Sequence, residues 1–393
     1  MHSDPAPVVW PRVIGQRRVK AALLAARRSG RLAHAYLFYG EEGVGKDAMA
    51  LELARVIRCE RGEDEACDAC PSCARMATLQ HPDVRLIVPL PRGGQEKDDD
   101  DPMARLSEAD VRVVREQFAL KAADPYHRLQ IPRANVIKIN SIREIRRESS
   151  FATTDRKRRV FVISGADAMN DAAANTLLKT LEEPPGETML ILTTAHRDAL
   201  LPTILSRCQN VRFDPLSEEE ILRALVARGR ATEEQAPLLA RLAGGSFTRA
   251  LELAGGDVAA HRADVVDFVR KAIGGKTLEL IELVERMAET KDRDVHTRFL
   301  TLMLFWFRDA MVLRYGAPIV NVDQAAELKS FVARFPGADL VRALMDVEDA
   351  ISLVDRYTYI KLVLAQLAVR LRAAILGAPA EGAGRPRGMT GTA

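Results

Sequence analysis

Gly40-Glu41-Glu42-Gly43-Val44-Gly45-Lys46 fits the pattern G-x-x-x-x-G-K, and the residues on either side fit the context that this pattern needs. Ala35 to Tyr39, just before it, is a short apolar run of strand type. Gly45 to Arg58, just after it, repeats Met49, Leu53 and Val56 or Ile57 at helical spacing. In such a strand–turn–helix unit the glycines let backbone N–H groups face phosphate oxygens. The lysine reaches the terminal phosphates, and the helix N-terminus adds positive dipole. The expectation is an α/β domain built around a phosphate-binding loop (P-loop), with Gly40, Gly43, Gly45, Lys46 and Asp47 as the nucleotide-contacting set.

The loop departs from a hydrolytic one in its next residue. A serine or threonine hydroxyl normally follows the lysine and binds Mg²⁺, and this chain has Asp47. A carboxylate can ligate Mg²⁺, but it also sets negative charge beside the phosphates, so nucleotide occupancy stays open. The run Val160-Phe161-Val162-Ile163 reads as the strand that would end in a metal-holding Asp-Glu pair, yet Ser164 and Gly165 stand there. Asp167 lies three positions beyond. A site lacking both hydroxyl and carboxylates lacks the metal-based stabilisation that phosphoryl transfer depends on. The competing reading is that Asp47 or Asp167 substitutes.

Working outward, Val19 to Ser29 reads as a basic amphipathic helix. Pro89 to about Pro132 reads as an irregular polar stretch, with the acidic run Asp98 to Asp101 as a solvated loop and Leu106 to Leu120 able to form a helix. Val136 to Ile139 reads as a strand, followed by a helix through Arg147 capped by Ser141 with Glu144 three residues on. Arg159 to Ser164 and Thr188 to Thr194 read as buried strands on either side of a helix from Asp171 to Glu183, which Pro184-Pro185-Gly186 stops. Alternation up to about Phe213 predicts a mostly parallel sheet.

Beyond Pro215 the pattern is helical only. Ser217-Glu218-Glu219-Glu220 is a capping-box start, and Gly244-Gly245 and Gly255-Gly256 are breaks. Val265/Phe268/Val269, Leu278/Ile281/Val284 and Leu362 to Leu371 read as apolar helix faces. The stripe Phe299, Leu302, Met303, Phe305, Trp306 reads as core or interface. The expected division is 1–213, 214–257, 258–376 and a disordered tail, 377–393.

With 393 residues, 47% hydrophobic and 28% charged, the chain is long enough for two or three domains of ordinary globular composition. A net charge of +3 from 57 basic and 54 acidic side chains favours no polyanionic partner by itself. Met1 to Pro11 lacks the basic-then-apolar pattern of a secretory leader, and the apolar run Phe299 to Phe307 is too short for a bilayer. These features predict a cytoplasmic protein without membrane contact.

Cys59, Cys67, Cys70 and Cys73 contain two overlapping C-x-x-C steps, with Cys59 arriving from a helix end. The set suits one tetrahedral, closed and hence structural Zn²⁺ site. Four reduced thiols or a redox pair is the alternative. Cys208 reads as a buried strand residue.

Ile14-Gly15-Gln16, His34-Ala35-Tyr36-Leu37-Phe38, the phosphate loop, the four cysteines and His81-Pro82-Asp83 occur in that order. Asn175-Thr176-Leu177-Leu178-Lys179-Thr180-Leu181-Glu182-Glu183-Pro184-Pro185 and Ser206-Arg207-Cys208 follow. Together they resemble the AAA+ clamp-loader subunits of bacterial DNA polymerase III, well over Val13 to Phe213 and more loosely beyond. Within that family the chain looks like the delta-prime branch, which keeps the cysteine knuckle and Ser-Arg-Cys while losing the hydrolytic residues.

The resemblance implies an AAA+ domain with an inserted zinc knuckle, a small helical lid and an all-helical C-terminal collar that oligomerises. It implies a non-hydrolysing stator that assembles with gamma/tau motor subunits and the delta subunit. The assembly handles a sliding clamp and primed DNA during replication. It also implies that Arg207 acts in trans on a neighbouring subunit's ATP, where a planar permanent cation suits growing phosphate charge. A surface or ion-paired arginine is the competing reading. Motor subunits carry a sensing arginine where Thr248 stands, and Arg249 is one position off, about 100° around a helix. The remaining alternative is an active motor-type loader or another AAA+ ATPase. Arg143, Arg146, Arg147 and Arg156 to Arg159 are basic residues of DNA-contacting type, with a solvated face as the rival reading.

Overall fold

A computed structural model describes residues 10–62, 64–93, 101–149, 157–256, 258–275, 277–290, 292–355 and 359–377. The chain divides into two compact units, Met1–Gly255 and Gly256–Ala393.

The first unit runs α1 (Arg17–Arg28), β1 (Ala35–Tyr39), α2 (Lys46–Arg58), α3 (Pro71–Met76), β2 (Val84–Ile87), α4 (Glu108–Ala123), α5 (Ile139–Ser149), β3 (Arg159–Ile163), α6 (Asp171–Glu182), β4 (Thr188–Thr194), α7 (Pro202–Leu205), β5 (Gln209–Arg212), α8 (Glu218–Ala227), α9 (Ala236–Ala243) and α10 (Phe247–Ala254). The five strands form one sheet in the order β2-β3-β4-β1-β5. Every pairing is parallel, with Tyr36 opposite Ile191 and Val162 opposite Ile191 in register. The central strands β3 and β4 are buried along their whole length. That is why they read as continuous apolar runs, since a parallel sheet is covered on both faces. Leu37, Phe161, Leu190 and Leu192 share a core with Ile142 and Ile145 of α5 and Leu177 of α6. Each such side chain contributes roughly 1.5–3 kcal/mol on burial.

The parallel sheet, the loop-to-helix step and the capping box at Ser217 agree with expectation. The segment Val136 to Ile139 is not a strand. Val136 and Ile137 make only isolated bridges, to Leu90 and Met169, and helix α5 already starts at Ile139. Ser141 is therefore inside the first turn, its N–H bonded to the Lys138 carbonyl, and does not cap. Cys208 is buried but sits one residue ahead of β5. The acidic run from Asp98 to Asp100, Arg156 and all but Gly377 of the C-terminal tail lie outside the described residues.

The second unit is helical: α11 (Val258–Gly274), α12 (Thr277–Glu289), α13 (Arg293–Leu313), α14 (Ala325–Arg334), α15 (Leu340–Asp355) and α16 (Ile360–Leu376). Phe268 meets Phe299 edge-on at 5.6 Å, and Trp306 meets Phe331 at 4.8 Å, so the aromatic stripe of α13 is core. The face Leu278/Ile281/Val284 is only partly buried. Leu278 and Ile281 are exposed, because α12 packs through the narrower stripe Leu283–Val284. No helix among the described residues is long and apolar enough to cross a membrane.

Candidate functional site

Backbone geometry builds the phosphate loop. Gly43 and Gly45 have φ of 77° and 102°, the left-handed region where a side chain is strained. A Cβ on Gly43 would also run into the Ser246 hydroxyl and Thr248, and one on Gly45 would lie 2.7 Å from the Tyr126 hydroxyl. The turn delivers Lys46 to the start of α2. Its ammonium donates to the carbonyls of Gly40 at 2.8 Å and Glu41 at 2.5 Å, and burial lowers its pKa. Around the loop lies a cavity of about 350 Å³ whose walls include Lys46, Asp47, Lys121, Tyr126, Ser164 and Thr193.

Asp47 is the hub of this cavity. Its Oδ1 accepts from the Thr193 hydroxyl at 2.7 Å, and its Oδ2 accepts from the Ser164 hydroxyl at 2.8 Å. The Lys121 ammonium lies 3.0 Å from Oδ2. Burial disfavours the charged carboxylate, but Lys121 and the two hydroxyls outweigh it and hold Asp47 at about 2. Thus the two odd residues of the sequence pattern, Asp47 and Ser164, bond to each other. Mg²⁺, the metal that a phosphate loop implies, does not fit this donor set: both Asp47 oxygens already accept from hydroxyls, and an ammonium sits against one of them. Asp167 lines the same cavity, but its Oδ1 accepts from Thr194 at 2.6 Å and makes no bond to the Asp47 cluster.

Sequence reasoning missed Lys121 and Tyr126, both in or just after α4, within a stretch read as irregular. Tyr126 is buried, accepts the Ile14 N–H at 2.8 Å and stands edge-on to Phe247 at 5.0 Å. Thr248 donates its hydroxyl to the Tyr126 carbonyl at 2.7 Å and lines the cavity. Arg249 points elsewhere, with Nη1 3.3 Å from the Ala243 carbonyl.

Arg207 does not line this cavity and sits in the turn between α7 and β5. Its Nη2 lies 2.6 Å from Oε1 of Glu182 at the end of α6, and Nη1 donates to the Thr203 carbonyl at 3.0 Å. The Arg207 side chain keeps about a third of its surface exposed.

The four knuckle cysteines converge, with all sulfurs within 4.8 Å of one another, and could hold a metal ion. The N–H groups of Gly62 and Cys67 point at the Cys59 sulfur at 3.0 and 3.3 Å, and that of Cys73 at Cys70 at 3.4 Å. Burial pushes the Cys59 thiol up, but these N–H donors outweigh it and favour the thiolate. Burial and the neighbouring thiols push Cys73 up. A soft tetrahedral cation resolves that crowding of sulfurs, so the donor set fits zinc. No described cysteine is in a disulfide.

The basic residues just before and at the start of β3 act as internal staples. Lys157 donates to the Cys59 carbonyl, Arg158 to the Leu32 carbonyl at 2.9 Å, and Arg159 pairs with Asp83 at 3.0 Å. Ile142 and Ile145 of α5 pack inward as expected.

A family model described as DNA polymerase III, delta subunit, matches residues 15–217, just over half of the chain. The DNA polymerase III subunit delta' of Bacillus subtilis (strain 168) is 29% identical over 303 residues, covering 77% of this chain and 78% of that protein. The subunit delta' of Pseudomonas aeruginosa PAO1 is 32% identical over 247 residues, covering 61% and 62%. The subunit gamma/tau of Mycobacterium tuberculosis H37Rv is 27% identical over 336 residues, 78% of this chain, which spans 50% of that relative.

Proposed function

This chain belongs to the DNA polymerase III delta subunit family, and from that membership we propose that it is a delta-prime-type clamp-loader subunit that hydrolyses no ATP itself. The observation that carries the second half is the occupation of Asp47 by Thr193, Ser164 and Lys121. Phosphoryl transfer needs a metal ion bridging phosphate oxygens and a carboxylate to help hold it. Here the carboxylate is bonded away, and a serine hydroxyl stands at the end of β3.

The proposed role is that of a stator. The chain assembles with gamma/tau motor subunits and the delta subunit, and Arg207 is presented to a neighbour's ATP. Its partly exposed side chain, on a short turn between α7 and β5, supports this reading. Within the assembly the chain helps place a sliding clamp on primed DNA. In domain terms the reading assigns an AAA+ body to 1–213, a lid to 214–257 and an oligomerising collar to 258–376.

The cysteine cluster is proposed to hold structural Zn²⁺ through Cys59, Cys67, Cys70 and Cys73. A closed set of thiolates leaves no open position, so the metal's contribution is to fix the fold around α3.

The test is ATP turnover by the chain alone and after mixing with its cognate motor and delta subunits. No turnover alone, with stoichiometric assembly and DNA-stimulated turnover in the mixture, supports the reading. Turnover by the isolated chain that Lys46→Ala abolishes would overturn it in favour of a motor-type ATPase.

A further inference from the structure

The ammonium of Lys121 pairs with Asp47, the residue that stands where a phosphate loop ordinarily carries its Mg²⁺-binding hydroxyl. Lys121 is buried to 5% exposure, and its Nζ lies 3.0 Å from Asp47 Oδ2 and donates to the His127 carbonyl at 2.9 Å. Asp47 is the first residue after the loop lysine. Its other contacts come from Ser164, at the end of β3, and Thr193, in β4. A Mg²⁺ ion there would need these oxygens as ligands at about 2.1 Å and several waters besides. Bringing a second cation within about 4 Å of the ammonium would also cost roughly 4 kcal/mol at a partly screened site.

The segment that carries Lys121 is anchored by more than this pair. Five residues on, the Tyr126 hydroxyl accepts the Ile14 N–H, and its ring fills the space that a side chain on Gly45 would need and stands edge-on to Phe247. The Tyr126 carbonyl accepts the Thr248 hydroxyl. Residues 121–126 therefore reach the loop twice, with a cation beside Asp47 and an aromatic ring beside Gly45.

We propose that Lys121 is the resident cation of this site, supplied by the chain itself in place of a divalent metal. The proposal deepens the non-hydrolysing reading and rests on it only for the identity of the phosphate loop. It makes the site's charge balance independent of metal, so the loop and α4 stay joined whatever the Mg²⁺ concentration.

The test titrates the full-length chain with Mn²⁺, read by electron paramagnetic resonance. Wild type is expected to bind none at this site. Lys121→Ala should gain about one Mn²⁺ per chain, displaceable by Mg²⁺, because Asp47 and the two hydroxyls then lose the ammonium paired with them. Lys121→Ala combined with Asp47→Asn should lose that gain. Lys121→Met keeps the aliphatic stem packed and should show the same gain even where the alanine variant unfolds. Wild-type binding as tight as in the variants would overturn the proposal. So would a folded Lys121→Ala or Lys121→Met with no gain, or failure of both to fold even with Mn²⁺ present. ATP turnover by the wild-type chain would sink the non-hydrolysing reading while leaving the Mn²⁺ comparison to decide this one.

Discussion

Glu182 and Arg207 form an ion pair 2.6 Å long between the end of α6 and the turn before β5. Both partners belong to the segments that carry the family likeness, Leu181-Glu182-Glu183-Pro184 and Ser206-Arg207-Cys208. The pair is partly exposed, and such pairs are worth about 0–1 kcal/mol. Its consequence for stability is therefore small, and its consequence for the placement of the guanidinium is larger.

Arg207→Ala is expected to slow DNA-stimulated ATP turnover of the reconstituted assembly by about tenfold or more, while assembly itself persists. The guide is the effect of trans arginines in GTPases, roughly 10³–10⁵. Steady-state turnover and size-exclusion chromatography of the same mixture check both halves. Unchanged turnover in an intact assembly would remove Arg207 from the reaction.

Asp47 predicts a pH dependence. Its carboxylate is held near 2, below the ordinary 3.8, so the unfolded chain takes up a proton first as pH falls. The stabilisation is fully present above about pH 4 and is lost as pH drops toward the folded value; a shift of this size corresponds to about 2 kcal/mol. Asp47→Asn removes it. Urea unfolding should show the largest gap between wild type and Asp47→Asn near neutrality and a narrower gap near pH 3. A gap that widens on acidification contradicts the assignment.

The sequence was legible where one feature dominated locally. The strands β1, β3 and β4 are continuous apolar runs, and the helices α2, α6 and α8 carry their own start or stop signals. It was less legible at the sheet edge. In β2, Val-Arg-Leu-Ile spans four residues with Arg85 exposed, too short and too polar for a pattern. Val136 to Ile139 carried the right residues for a strand but lacks a neighbour to form a full ladder. The site was half legible. The missing hydroxyl at Asp47 and the missing carboxylates at Ser164 stood out, yet their mutual bond joins positions 117 residues apart. A half-buried carboxylate at that place calls for a cation, but among 57 basic residues nothing local marks Lys121.

In the second unit, Asp309 of α13 is fully buried and organises the chain that follows the helix. Its carboxylate accepts the N–H of Val320 at 3.0 Å, the N–H of Asn321 at 2.6 Å and the Asn321 side-chain amide at 2.8 Å. Asp309→Ala leaves those buried donors unpaired. The expected loss is about 3 kcal/mol, since each orphaned donor costs roughly 1–3 kcal/mol and the loop relaxes in part. Chemical denaturation of the variant checks it. A loss under about 0.5 kcal/mol would mean that solvent replaces the carboxylate at these donors.

The cysteine cluster gives the last prediction. Four sulfurs within 4.8 Å of one another, with N–H groups of Gly62, Cys67 and Cys73 aimed at two of them, are too crowded to be kept together by packing alone. Cys70 also caps α3, accepting from the N–H of Cys73, so its sulfur links the cluster to that helix. Metal binding of this kind supplies on the order of 10 kcal/mol to local folding. Purified chain should therefore contain about one equivalent of zinc by elemental analysis, and Cys70→Ser should contain little. Strong chelation should unfold the knuckle and expose its thiols to a thiol reagent. The sheet should persist, since its core of Leu37, Phe161, Leu190 and Leu177 contains none of the four cysteines. Thiols that stay protected after chelation, or a zinc-free protein with an unchanged melting temperature, would point instead to reduced structural cysteines.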